Sequence, residues 1–352
     1  VVPGLVEVLP IAPLQEGLLF HSLFDEDGVD VYVEQLVVGL DGEVDGGLLR
    51  ASWQVLVDRH AALRAGFVQV GGVAGSVQVV VEGAVLPWRE VDVTGLGDDA
   101  ADRVGVEERS ARFDLAAPPL LRVALARVGE RRFQMVVTLH HLLLDGWSLP
   151  LVMRELWAIY AAGGRAVGLG VPVSARPYWA WLAGRDVSVA LEAWRAELAP
   201  VEEPTLVAPT EPSATASVVL DRVTDHASVE LVNGLERVAR GAGVTLNTVV
   251  QLAWGLVLGQ LTGRREVVFG ATVAGRPAEL PGMEAMLGLF INTLPVRVDL
   301  DAARSVSEVL GALQARQSAL LDHQHVGLSE VQRTAGPGAT FDTLLAFENY
   351  PG

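Results

Sequence analysis

The sequence has no cysteine. Disulfide staples, a thiolate nucleophile and thiolate metal ligands are therefore excluded, and cysteine usage says nothing about redox compartment. It is also short of positive charge: 26 Lys and Arg stand against 43 Asp and Glu, a formal net charge of −17. That balance disfavours nucleic acid or an anionic membrane as partner, because both reward positive surface. No apolar run reaches membrane-spanning length, since Val244 to Leu261 is interrupted by Asn247, Gln251 and Gln260. Val1 to Pro13 has neither a basic stretch before an apolar core nor a small-residue cleavage pattern, so a signal peptide is not expected. No serine sits in a Gly-x-Ser-x-Gly context, and neither Gly263 nor Gly275 lies in a phosphate-cradling loop. His21, His60, His226, His323 and His325 show no zinc-ligand spacing. The expectation is a soluble globular chain with no bound metal.

What is present is 352 residues, half of them apolar, which is enough for two domains with a core each. The stretch that organises the chain is Leu139-His140-His141-Leu142-Leu143-Leu144-Asp145-Gly146-Trp147-Ser148. Phe133 to Leu139 ahead of it reads as a strand, and Leu149, Val152, Leu156 and Ile159 after it recur at helical spacing. Ser148, two residues before Pro150, fits an N-cap. Consecutive strand side chains point to opposite faces, so of His140 and His141 one should face a pocket and the other packing. A neutral imidazole at a strand end can act as a general base. The same residues also fit a hydrogen-bonded histidine pair followed by an Asp-Gly turn. Asp145 can orient the ring or pair with a base such as Arg276.

The remaining pattern mixes strands and helices, which predicts an α/β architecture. Strands are expected near Tyr32 to Leu40, Ser76 to Val81, Trp88 to Val93, Leu120 to Ala126, Thr215 to Leu220, Val267 to Val273 and Leu289 to Val298, with a last one at Thr343 to Phe347. The strand near Pro295 should lie at a sheet edge. Helices are expected at Leu48 to Asp58, from Asp98 or Asp99 to Arg109, and at Ser228 to Arg240. Two more should follow Thr245 and span Ser305 to Leu321. Arg59, His60 and Arg64 read as helix-end and surface residues. Pro200 to Pro212 reads as a linker. Asn292 and Thr293 could turn polar side chains into a cleft. Few elements remain to cover the last strand, so the second lobe is expected to be incomplete.

On these residues the chain resembles a condensation domain of a nonribosomal peptide synthetase, of the chloramphenicol-acetyltransferase-like superfamily. His140 through Gly146 match that family's HHxxxDG motif, and Trp147-Ser148 its usual extension. Pro13 to Leu18 is similar to the first family signature, Arg59 to Arg64 to the second, and Tyr178 to Leu182 to a divergent fourth. Gly288 to Thr293 with Arg297 is similar to the fifth, and His323-Gln324-His325 to an altered sixth. Phe341 to Leu344 and Phe347 to Pro351 are also typical.

The resemblance implies two acetyltransferase-like lobes in a V-shaped arrangement with a tunnel between them. The expected blocks are 1–175, an interlobe segment at 176–214, and 215–352. It implies amide formation between a donor thioester and an acceptor amine, both on phosphopantetheine arms of upstream and downstream peptidyl carrier domains, beside an adenylation domain. It also implies no cofactor bound by the domain itself, a cytoplasmic location, and a monomer when excised. His141 would be catalytic, with His140, Asp145, Gly146, Trp147 and Arg276 in support and Ser148, Asn292 and Thr293 as tunnel or substrate contacts. The rival readings are a coenzyme A-dependent acyltransferase of the same superfamily and a non-catalytic domain that recruits a tailoring enzyme.

Overall fold

The chain was described by a computed structural model that covers residues 2–24, 30–70, 75–97, 99–208 and 222–348. Packing divides it into two units. The first takes in the chain up to Gly184 together with Arg276–Ile291, and the second comprises Arg185–Gly275 and Asn292–Glu348. Among the described residues, no single helix is long and apolar enough to cross a membrane.

In the first unit, β1 (Leu5–Leu9), α1 (Pro13–Phe24), β2 (Val33–Asp41) and α2 (Gly46–Arg59) are followed by β3 (Ala65–Gln69), β4 (Ser76–Val81) and β5 (Trp88–Asp92). Then come α3 (Ala100–Ser110), β6 (Leu121–Gly129), β7 (Arg132–His140), α4 (Ser148–Ala161) and α5 (Arg176–Ala183). A four-stranded sheet runs in the order β2-β7-β6-β5, and a smaller one in the order β1-β4-β3. The β6–β7 hairpin turns where Gly129 faces Arg132.

The larger sheet is covered on both faces, and its strands show why. Met135, Val137 and Leu139 pack into one core with Trp53 and Leu56 of α2 and Val152 and Leu156 of α4. On the opposite face Val136, with the small side chains Ala124 and Ala126, packs in a cluster with Ala100, Ala101 and Val104 of α3. Strand alternation thus feeds two cores, and the strand that carries the two histidines is central to both.

The second unit holds α6 (Val187–Leu198), α7 (Val229–Ala242), α8 (Leu246–Thr262), β8 (Glu266–Val273), β9 (Asn292–Asp299), α9 (Val306–Ala319), α10 (Leu328–Ala335) and β10 (Leu344–Leu345). Its sheet order is β10-β8-β9, so β9 is an edge strand, the place where Pro295 is tolerated. Ser228, Thr245 and Ser305 each cap a helix through the side-chain oxygen, and Ser305 with Glu308 forms a capping box.

Several expectations change. The contact units are not the contiguous blocks 1–175, 176–214 and 215–352: Arg276–Ile291 returns to the first unit, and the first unit runs on through α5. Thr205, inside the expected linker, is fully buried. Its hydroxyl accepts the Val268 N–H at 2.9 Å, and the residue bridges Phe341, so the chain at Thr205 is packed structure and not a tether. Helix α3 starts at Ala100 with no side-chain cap from Asp99. The expected Asp98 cap, Pro209 to Pro212 and the Thr215 to Leu220 strand lie outside the described residues. The last strand shrinks to Leu344–Leu345, while β1 and α10 appear without having been read from the sequence.

Candidate functional site

Strand β7 ends at His140, and the two imidazoles part as side-chain alternation requires. His140 is completely buried. Its Nδ1 accepts the Leu142 N–H at 3.1 Å, which leaves the proton on Nε2, aimed at Asp30 Oδ2 at 3.2 Å and Ser22 Oγ at 3.3 Å. Burial pushes the Asp30 carboxyl up, but the bond from His140, the Tyr32 N–H and the charge of Arg112 outweigh it and hold the group below its ordinary value. His140 therefore braces the strand end from inside.

His141 faces the other way, with 21% of its side chain exposed. Its backbone N–H donates to the Tyr32 carbonyl at 2.9 Å, one step beyond the end of the β2–β7 ladder. The ring Nδ1 lies 2.9 Å from the Leu144 carbonyl oxygen. A carbonyl can only accept, so Nδ1 carries the hydrogen and Nε2 is left with the lone pair in the neutral ring. This is the tautomer that a general base at Nε2 requires. Nε2 stands 3.5 Å from Glu34 Oε1, a neighbour that the sequence reading missed.

Asp145 does not touch the His141 ring; it holds the loop. Its Oδ1 accepts from the Ser148 N–H at 2.9 Å, the Ser148 hydroxyl at 2.8 Å and Arg276 Nη2 at 2.9 Å. Its Oδ2 accepts from Arg276 Nη2 at 3.0 Å and the Phe290 N–H at 3.1 Å. Arg276 in turn donates through Nη1 to the carbonyls of Met283 and Met286, and its guanidinium lies over the Phe290 ring. Burial draws that guanidinium down from its ordinary value, and Asp145 opposes the pull. The expected Asp145–Arg276 pair is present, with side chains 0% and 7% exposed.

Gly146 sits in the turn closed by the Ser148 N–H on the Asp145 carbonyl at 3.0 Å. Trp147 donates through Nε1 to the Glu284 carbonyl at 2.9 Å, so it ties the motif to the 276–291 segment. Ser148 is not an N-cap: α4 begins at Ser148 itself, and no side-chain cap is formed there. Its fully buried hydroxyl also meets Gly288 O at 2.9 Å and Gly288 N at 3.1 Å, so it faces packed backbone in place of a substrate. Gly288 has to be small here, because a Cβ would lie 2.7 Å from the Phe290 ring.

Asn292 and Thr293 belong to the second unit. Asn292 is buried, and its amide donates to the carbonyls of Gln324 and Val326 while its Oδ1 accepts the Thr293 N–H. Both polar ends of Asn292 are thus committed to its own unit. Arg59 and His60 are not surface residues either: Glu155 Oε2 lies 2.9 Å from Arg59 Nε and 2.8 Å from His60 Nε2. Burial lowers the His60 ring below its ordinary value, with Glu155 opposing. Among the described residues, no three His, Asp or Glu side chains gather as a metal ion would need.

The family profile described as condensation domain matches residues 6–352. A linear gramicidin synthase protein of Brevibacillus parabrevis is 35% identical over 364 residues, an alignment covering 99% of this chain and 5% of that protein. The chain thus spans a small fraction of the length of such relatives. Among solved structures, the first condensation domain of the calcium-dependent antibiotic synthetase, in complex with a substrate analogue, superposes with a TM-score of 0.79 at 20% identity. That match covers 98% of this chain and 82% of the other. The X-domain from teicoplanin biosynthesis gives 0.80 at 22% identity, covering 94% and 74%.

Proposed function

The chain belongs to the condensation domain family, and from that membership we propose that it joins a donor acyl or peptidyl thioester to an acceptor aminoacyl amine, with both substrates delivered by carrier proteins. The donor and acceptor would ride on the phosphopantetheine arms of an upstream and a downstream carrier, with an adenylation domain as neighbour. The domain would need no cofactor of its own and would act in the cytoplasm as a monomer when excised.

The observation that carries this reading is the His141 ring, part exposed, with its Nδ1–H fixed on Leu144 O and the lone pair left on Nε2. A free amine is already a competent nucleophile, so the ring has two tasks that need no activated intermediate. It holds the amine for attack and accepts a proton as the bond forms. The amine nitrogen bonds to the thioester carbon, one N–H proton passes to Nε2, the C–S bond breaks, and the leaving sulfur regains a proton. The products are an amide and a carrier thiol. Asp145, Arg276 and Ser148 would contribute by keeping the loop that presents Leu144 O in place.

The test offers the domain one acceptor-loaded carrier together with the same acyl donor either on a second carrier or on coenzyme A. Amide formation with the carrier-borne donor supports the proposal. Preference for the coenzyme A donor favours the soluble acyltransferase reading, and no product with either favours a recruitment role.

A further inference from the structure

We infer that Glu34 is a positioning residue for His141: its carboxylate holds and stabilises the positive ring that forms when Nε2 takes the proton. This rests on the proposed condensation chemistry but adds a residue to it.

The placement follows from strand register. Glu34 on β2 lies opposite Leu139 on β7, and the ladder continues to Tyr32 O and the His141 N–H. Glu34 and His141 are therefore diagonal neighbours across the strand pair, a separation that a long side chain spans. Further along the face that Glu34 shares, Leu36, Val38 and Leu40 pack against the core. A carboxylate interrupts this apolar row at the position diagonal to the imidazole. Glu34 Oε1 reaches to 3.5 Å from Nε2, with 46% of its side chain exposed.

The chemistry follows from the tautomer. Because Nδ1 already donates to Leu144 O, the neutral ring offers only a lone pair toward Glu34, and a lone pair has no favourable interaction with a carboxylate. Once Nε2 is protonated, the same contact becomes a charge-assisted hydrogen bond. The attraction is thus stronger in the state that follows proton transfer than before it, which is the requirement for lowering a barrier. Glu34 exchanges no proton: the one that Nε2 takes from the amine is balanced by the one gained by the leaving sulfur.

Among the described residues, three neighbouring ionisable groups have partners of their own. His140 and Asp30 pair on the opposite face of the strand, Asp145 is held by Arg276, and the His21 ring of α1 stands beside Tyr32.

Glu34→Gln keeps the shape and removes the charge at a half-exposed position, so the fold should survive. In single-turnover amide formation against pH, the plateau rate is expected to fall several-fold. The acidic limb should move toward lower pH, because removing the carboxylate removes the charge that favours the protonated ring. Glu34→Asp should fall between parent and Gln. A structural role alone would lower the rate without moving the limb. A second readout is independent of turnover: the His141 ring resonances, assigned by their loss in His141→Ala, should titrate at lower pH in Glu34→Gln than in the parent. Coincident ring titrations would overturn the inference even if the parent makes amide, and a displaced titration would sustain the pairing even if it makes none.

Discussion

Asp145 carries more of the site's order than any other single side chain, because it joins the motif loop, the start of α4 and the 276–291 segment through one carboxylate. In Asp145→Asn one oxygen becomes a donor facing Arg276 or the Ser148 and Phe290 N–H groups, and the buried guanidinium loses its counter-charge. Breaking a buried pair from one side costs about 3–5 kcal/mol. Urea denaturation of the variant should show a loss of that size, or no soluble protein; a variant as stable as the parent but inactive would assign Asp145 a chemical role in place of the structural one. At this scale much of the site was legible. The parity of a strand separates His140 from His141 without any coordinates, and a buried Asp calls for a cation. Glu34 was not legible because a carboxylate on an exposed strand end reads as solvated surface until register places it beside Nε2. The Ser148 hydroxyl was misread because its backbone partner, Gly288, is 140 residues away.

Elements with local signals were read well and those without were not. Caps at Ser228, Thr245 and Ser305, the alternation of β7 and the periodicity of α4 are all carried by neighbouring residues. Strand β1 and helix α10 are short, and what defines them is a partner distant in sequence, such as β4 for β1. Thr205 misled for the same reason, since proline-rich surroundings signal a tether while its hydroxyl bonds to β8 and its backbone bridges Phe341, both distant in sequence. The turn after α10 shows how tight such packing is. A Cβ at Gly338 would lie 1.8 Å from the Val201 carbonyl oxygen, and backbone cannot yield as a flexible side chain can. Gly338→Ala should therefore destabilise the second unit by about 1–3 kcal/mol or more, measured as a lowered thermal midpoint. An unchanged midpoint would mean that this approach is not as close as the structure gives it.

At the scale of the whole molecule, α/β character follows from the mixed pattern of strands and helices and two-unit size from length, but the discontinuity of the units follows from neither. The return of Arg276–Ile291 to the first unit is decided by hydrogen bonds to Asp145, Trp147 and Ser148, which no local pattern announces. The net charge of −17 is a global quantity, and it bears on solubility and on which partners approach more than on fold. What the whole architecture delivers is one imidazole, set at the end of a central strand with its tautomer fixed. The decisive measurement is therefore single-turnover amide formation between loaded carriers by parent and His141→Ala, with circular dichroism as a check on folding. The expected result is a rate reduced by about 10²–10⁴-fold at an unchanged spectrum; a folded His141→Ala protein that works within a few-fold of the parent would contradict it.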